Sequence, residues 1–479
     1  MRRKRLNQAL SMVLAFSMAF SMAAAPVTAS ASEQMETEFL SDTGETTTGE
    51  QREMDESEAE SSSFTEKMEP AWTEPAESNG IYQIGTSDEL RWFGEHVNSG
   101  NADANAVLLA DIDLSGAEWV PIGSPDDPYT GVFDGGNFEI LNLSLHTAEK
   151  WGGLFGKSQG TIKNIGNLTG VLESTSVGAG GVAGWNASGG IIQNSKSSLT
   201  IYLKESTARG SAGGITAQNN GTVEASQFQG IIDVSEAGGS KRVGGIAGEN
   251  AGAVKGCVNE GQVTGYYQTA ASYMGGVVGN QDGGTLYSCY NTGSISAGSG
   301  AANTTLGGIA GRCSGAIMIN CYNTGLISKD GNTDDAKVNG NVGMKTSSAK
   351  LSANYYLAEA TDESIGAVSE SDLKSESIIG SLNADNIYDI VIEDEYHYVK
   401  TPGYPALSWE GKDEPAGPVE VVSVTIEGIA KTGEKLTAVS AGMEDATPTN
   451  LNYQWKVSDN GADFTDIEGA VTSEFMIPD

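Results

Sequence analysis

The chain has 479 residues, with 63 Asp and Glu against 27 Lys and Arg, a formal net charge of −36, 3 His and 4 Cys. So large an acidic excess speaks against a nucleic-acid binder, which needs a basic footprint and counterion release, and against adhesion to an anionic membrane surface. The length suggests about three domains, and so few histidines leave little room for His-based catalysis or a His-rich metal site.

Arg2, Arg3, Lys4 and Arg5 precede an apolar run, Ala9 to Ala25, and the A-x-A pattern Ala29-Ser30-Ala31. This is the layout of a secretory signal peptide (residues 1–31) cut after Ala31. The apolar run is short for a bilayer span of about 20 residues. A secreted or cell-surface location is expected, with no membrane insertion after cleavage. Residues 32–79 hold 15 acids and 2 bases, Arg52 and Lys67, among Ser and Thr. Such a segment cannot bury enough surface to offset its ordering entropy, so it reads as a disordered acidic spacer.

Residues 80–150 read as an N-terminal cap and first coils. Thr86 and Glu89 form a capping box before Leu90, Phe93 and Val97, and that helix would seal the N-terminal end of a solenoid. Residues 151–360 are a repeat array. Gly152-Gly153-Leu154-Phe155-Gly156 recurs at Gly180, Gly213, Gly244, Gly275 and Gly307, at spacings of 28, 33, 31, 31 and 32 residues. Cys257-Val258-Asn259-Glu260-Gly261 returns at Cys289 and again at Cys321, 32 residues apart each time. The apolar runs between the glycines are too short and too rich in Val, Ile and Gly for helices. A coiled chain would pair each run with its equivalent one unit later, at about 4.8 Å. The expected fold is therefore all-β: a right-handed parallel β-helix, or solenoid, of ~32-residue repeats with small helical caps. In it Cys257, Cys289 and Cys321 stack as buried thiols, and Asn259, Asn291 and Asn323 stack as an amide ladder. The thiols are not expected to bridge, since a disulfide needs converging Cβ vectors. Cys313 reads as a turn residue.

These repeats resemble the GLUG-motif repeats of large bacterial surface proteins. The segment from Leu90-Arg91-Trp92-Phe93 through Asp111-Ile112-Asp113-Leu114 and Trp119-Val120-Pro121-Ile122-Gly123 to Gly131-Val132-Phe133-Asp134-Gly135-Gly136-Asn137 is similar to the part preceding such repeats in adhesin-like proteins of Gram-positive gut bacteria. Gly403-Tyr404-Pro405-Ala406-Leu407-Ser408-Trp409 resembles their closing motif. The resemblance covers residues 81–409 and implies a surface-exposed, adhesive protein. Some relatives carry protease domains, but no His-Glu-x-x-His motif occurs here.

Residues 361–411 read as a C-terminal cap with a helix from Ser369 to Leu382, and 412–418 as a linker. From 419 to 479, Val422-Ser423-Val424-Thr425-Ile426 and Leu436-Thr437-Ala438-Val439 alternate like half-buried strands. Tyr453-Gln454-Trp455 resembles a strand of bacterial Ig-like modules. The segment is short for a complete sandwich, so a partial Ig-like β-sandwich is expected.

No residue set announces catalysis. From Gly152 to Ser328 the array holds 8 acids and 9 bases without a dense cluster, whereas a glycosidase needs two carboxylates about 5–10 Å apart. Asp111, Asp113, Asp126, Asp127 and Asp134 are the residues a calcium site would draw on. They lack EF-hand spacing, and turn roles are preferred. Tyr266, Tyr267, Tyr273, Tyr290, Tyr322, Tyr355 and Tyr356 include candidates for an exposed ligand-binding stripe, with core packing the preferred role for any one of them. The expected function is non-catalytic binding of an extracellular glycan or protein, without a cofactor. The alternatives are a β-helix polysaccharide lyase or hydrolase, and a spacer of a larger surface protein.

Overall fold

The structure is a computed structural model that describes residues 72–478 apart from 205–208, 266–270, 299–302, 330–337, 358–365, 385–387, 413–420, 430–432, 443–454, 458–464, 469 and 471. The expected signal peptide with Ala31, most of the acidic spacer, and Tyr266, Tyr267 and Tyr453 lie outside the described residues.

The chain winds into a parallel β-solenoid of about seven turns. One coil shows the pattern. Lys241–Gly244 lies in sheet I, Ala247–Asn250 in sheet II, Ala253–Lys255 in sheet III, and Val258–Asn259 and Gln262–Gly265 both in sheet IV. Each strand pairs in parallel with its equivalent one coil on, so Val254 aligns with Leu286 and Val263 with Ile295. Among the described residues sheets I and II have seven strands each, sheet III eleven and sheet IV fifteen. The inward residues form continuous aliphatic columns. Ile192, Val223, Val254, Leu286 and Met318 are one such column, each with no exposed surface.

The recurring glycines answer to two close approaches. A Cβ on Gly276, at the corner between sheets I and II, would sit 2.5 Å from Asn291 Nδ2 across the interior and nearer still to the Gly308 carbonyl. A Cβ on Gly279, in sheet II, would sit 2.6 Å from the Gly248 carbonyl and collide with the backbone of sheet I. The second glycine makes room for the stacked amide, and the third lets two sheets meet backbone to backbone.

Two amide ladders run through the interior. Asn259 Nδ2 donates to Asn291 Oδ1 at 2.6 Å, and Asn291 Nδ2 to Asn323 Oδ1 at 2.7 Å. Each Oδ1 also accepts the N–H of the glycine two residues on, and each Nδ2 donates to that glycine's carbonyl, so every amide also closes its own turn. The second ladder has no counterpart among the sequence expectations. Asn186 donates to Asn219 at 2.8 Å, Asn219 to Asn250 at 2.7 Å, and Asn250 to Gln281 at 2.8 Å, all fully buried. Cys313 aligns with Gln281 in this column, at the end of a strand and buried, instead of in a turn.

Cys257, Cys289, Cys313 and Cys321 are all free and buried. The Cys257 N–H donates to Cys289 Sγ at 3.3 Å, and that thiol donates to the Tyr287 carbonyl at 3.2 Å. Burial pushes the Cys289 thiol well above its ordinary value. The folded protein is therefore expected to resist a thiol reagent at about pH 8. All 4 cysteines should react once it is unfolded. Rapid labelling of native protein, counted by mass, would contradict this packing.

At the N-terminal end the fold begins earlier than Gly80. Ala76–Ser78 pairs antiparallel with Ile81–Ile84 across Asn79-Gly80, both at positive φ, the Asn-Gly arrangement of a two-residue hairpin. The helix Ser87–Asn98 comes next with its Thr86–Glu89 capping box formed. It lays Leu90, Phe93 and Val97 on the first coils, with Phe93 against Tyr129 and Phe133.

The C-terminal segment departs from the expected end cap. Its helices, Glu370–Leu373 and Glu376–Asn383, and the strand pair Tyr398–Val399 with Ala406–Leu407 form a strap along the side of the solenoid. The Trp409 indole donates to the Gly256 carbonyl at 2.9 Å, and Glu393 pairs with Lys255 at 2.9 Å, several coils back from the last one. The reason is apolar surface. Val258, Tyr290 and Tyr322 project outward from sheet IV and need cover. Among the described residues of this segment, only Ala367–Val368 adds a strand to the final coil, beside Tyr356–Leu357.

Burial alone would raise the Glu393 carboxyl, but hydrogen bonds from Lys255 and Tyr287 hold it below the ordinary glutamate value. A depressed carboxylate adds stability that is present above the unfolded pKa and is lost as pH falls through the folded one. Hydrogen exchange in residues 388–411 should therefore quicken below about pH 4, and Glu393→Gln should remove that step. A strap indifferent to acid, or an unchanged step in the variant, would rule out this contact as its clasp.

Beyond the strap, Val421–Gly428, Lys435–Gly442 and Glu474–Met476 form an antiparallel sheet, and Lys456–Val457 pairs with Thr465–Asp466. Trp455 stacks on Phe475 at 5.5 Å.

Candidate binding face

Side chains alternate along a strand, so each coil offers a few outward positions, and parallel stacking turns each into a column. Most tyrosines expected on an exposed stripe are not there. Tyr290 and Tyr322 stack face to face at 4.9 Å beneath the strap, 3 % and 0 % exposed. The Tyr290 hydroxyl donates to Glu410, and that of Tyr322 to the Pro405 carbonyl. Tyr356 is buried and Tyr355 half-buried. Among the described members of that set, Tyr273 alone belongs to a partly exposed polar face.

That face lies where sheets I and II meet. In sheet I the outward column runs Trp151, Gly178, Ser211, Arg242, Tyr273, Thr305. In sheet II it runs Lys157, Trp185, Gln218, Glu249, Asn280, Arg312. The close approach at the third glycine brings the columns together one coil out of step. The Trp151 and Trp185 rings lie 5.6 Å apart, and Lys157 Nζ sits 4.4 Å over the Trp185 ring. Arg242 and Arg312 both face the Tyr273 ring, at 5.0 and 5.6 Å. Five steps from Lys157 to Arg312, at about 4.8 Å each, give the face a length of about 24 Å.

Polar partners hold these groups in place. Trp185 Nε1 donates to Asn220 Oδ1 at 2.8 Å, as does Gln218 Nε2 at 3.0 Å. Glu249 accepts from Arg209 at 2.5 Å and from Asn280 at 3.4 Å, and Asn280 Oδ1 accepts from Arg312 at 3.1 Å. Arg312 also lies 3.7 Å from Asp282. Burial, then the neighbouring Arg209, lowers the Arg242 guanidinium from its ordinary value, although Glu249 opposes this. Among the described residues of these two columns, two N–H donors are buried without a hydrogen-bond partner: Arg242 Nε and Trp151 Nε1, the latter on a side chain only 8 % exposed.

The remaining candidates are dispersed. Asp111 accepts the Glu139 N–H, Asp113 accepts from Ser115 and Asn142, and Asp134 accepts from Gly136 and Asn164 beside Lys163. The Asp127 N–H donates to Ser124, and Asp126 adjoins it in the same bend. Among the described residues no three His, Cys, Asp or Glu side chains converge as metal ligands. Array carboxylates outside the face are tied to lysines: Glu173 to Lys204, Glu224 to Lys255, which also holds Glu393, and Glu260 to Lys412, which also holds Glu410. The sequence does carry a signal for the face: in every unit its sheet II member stands five residues after the first glycine of the motif.

No family model matches the chain, and no curated protein does. Among solved structures it is similar to a candidate immunoglobulin A1 protease from Bacteroides ovatus, at 21 % identity and a TM-score of 0.48, over 69 % of this chain and 92 % of the other.

Proposed function

We propose that the chain is a secreted or cell-surface protein that binds an extended extracellular polymer on its solenoid and does no chemistry on it. The observation that carries this reading is the double column of Trp151, Trp185 and Tyr273 with Lys157, Arg242 and Arg312. It is a rigid strip of flat rings and spare donors along one face. Aromatic faces and guanidinium groups are favoured at binding surfaces. The carboxylates of the array are scattered and several are tied to lysine or arginine, an arrangement that argues for binding over hydrolysis or elimination.

The repeat motifs support placing the chain with GLUG-type surface proteins, and the N-terminal arginines with Ala29-Ser30-Ala31 support secretion. The antiparallel strands of 421–476, with Trp455 on Phe475, support reading that segment as an Ig-like spacer. Purified protein should be offered a panel of immobilised polysaccharides and matrix proteins, with and without calcium, while soluble polysaccharide is assayed for new reducing or unsaturated ends. Saturable binding without new ends is expected. New ends would establish an enzyme. A folded protein that binds nothing would be a spacer.

A further inference from the structure

The double column suits one class of polymer best, and this inference rests on the binding reading above. We propose that the face formed by sheets I and II holds a linear anionic polysaccharide, with acidic groups on Arg242 and Arg312 and sugar rings on Trp185 and Tyr273.

Local charge carries the first step. The protein is strongly acidic, yet the face gathers Lys157, Arg209, Arg242 and Arg312 against Glu249 and Asp282. At physiological salt, exposed charges more than about 8 Å apart are screened, so the sign of the face decides what it attracts, not that of the whole molecule.

Unused donors carry the second. Trp151 Nε1 and Arg242 Nε are buried donors without a partner, and both belong to the sheet I column. A buried donor left unpaired is costly, so either side chain gains by turning outward to an anion or a sugar hydroxyl that supplies the acceptor. A guanidinium also offers a planar fork that matches a carboxylate or sulfate.

Shape carries the third. The rungs advance by about 4.8 Å, and a pyranose in an extended polysaccharide advances by nearly as much, so successive sugars meet successive rungs. An acidic peptide fits less well. Extended peptides are held mainly by adding a strand to an open sheet edge. Across this face every strand but the terminal ones in sheets I and II is already paired on both sides.

The test measures binding of the whole chain to four probes: polygalacturonate, its methyl ester, heparin and poly-L-glutamate. Polygalacturonate, heparin or both should bind, more weakly as salt rises, and the neutral ester should not. Which of the two binds tells a carboxylate glycan from a sulfated one. Arg242→Gln and Arg312→Gln should each weaken that binding by about tenfold, and Tyr273→Ala should weaken it as well. Lys374→Gln, on the strap, should leave it unchanged. Unaltered circular dichroism and an unaltered urea midpoint in the glutamine variants would show that the loss is not unfolding. Equal binding of the methyl ester, tighter binding of poly-L-glutamate, or full binding by both arginine variants would overturn the proposal. If the protein binds glycans but the arginine variants bind as wild type, this face is excluded and the general binding reading stands. If no polysaccharide or matrix protein binds, both fall.

Discussion

Gly276→Ala is expected to cost at least about 4 kcal/mol, enough to melt its coil, because neither obstacle can step aside. The new methyl would lie 2.5 Å from Asn291 Nδ2 and closer to the Gly308 carbonyl. The carbonyl belongs to the next coil's corner, and the amide is pinned by bonds to Asn259 and Asn323. Relieving the clash means opening the ladder or moving a rung. Gly283→Ala is the matching control. Gly283 sits at φ +77 with nothing within 4 Å of its would-be Cβ, so alanine there incurs only the left-handed penalty of about 1–2 kcal/mol. Urea unfolding of the two variants measures the difference. Near-equal losses would mean that the corner glycine serves backbone angle instead of room. Because solenoid coils depend mainly on their neighbours, hydrogen exchange should place the damage of Gly276→Ala around 276–308.

The second large effect is expected at Asn291, where aspartate should be worse than alanine. The Asn291 Nδ2 donates to Asn323 Oδ1 at 2.7 Å and to the Gly293 carbonyl at 2.9 Å. Aspartate would point an oxygen at both acceptors and bury a charge without a cation, at a cost of about 3–5 kcal/mol near neutral pH. Alanine removes the side chain but leaves Asn259 its bond to the Gly261 carbonyl and Asn323 its bond from the Gly325 N–H. About 2 kcal/mol is expected for it. Burial raises the folded pKa of such an aspartate above its unfolded value, so its penalty is full above the folded pKa and shrinks as pH falls. Stability curves of the two variants should therefore converge towards about pH 4. A gap that stays constant with pH would mean that the ladder tolerates a carboxylate.

Legibility differed from one residue class to the next. Cys257, Cys289 and Cys321 mark one column each time they recur, since a parallel solenoid repeats local information coil by coil. The Asn186–Asn219–Asn250–Gln281 ladder was as regular in spacing, six residues after the first glycine, but its last member is glutamine and its neighbours vary. Reading it required knowing that this position turns inward. Arg242, Tyr273 and Arg312 had no motif of their own, for outward positions are free to vary without disturbing the rung.

What the sequence by itself determined is the period, the strands and the columns, because hydrophobic alternation and glycine spacing act within one coil and repeat. The tertiary structure decided the rest. It set Gly276 against Asn291 across the interior, closed sheets I and II until Tyr273 met two arginines, and drew the C-terminal strap over Tyr290 and Tyr322. Each of these depends on corner angles and on segments distant in the chain. Contacts of that kind leave no fixed spacing in sequence, and they become visible only when the coils are stacked.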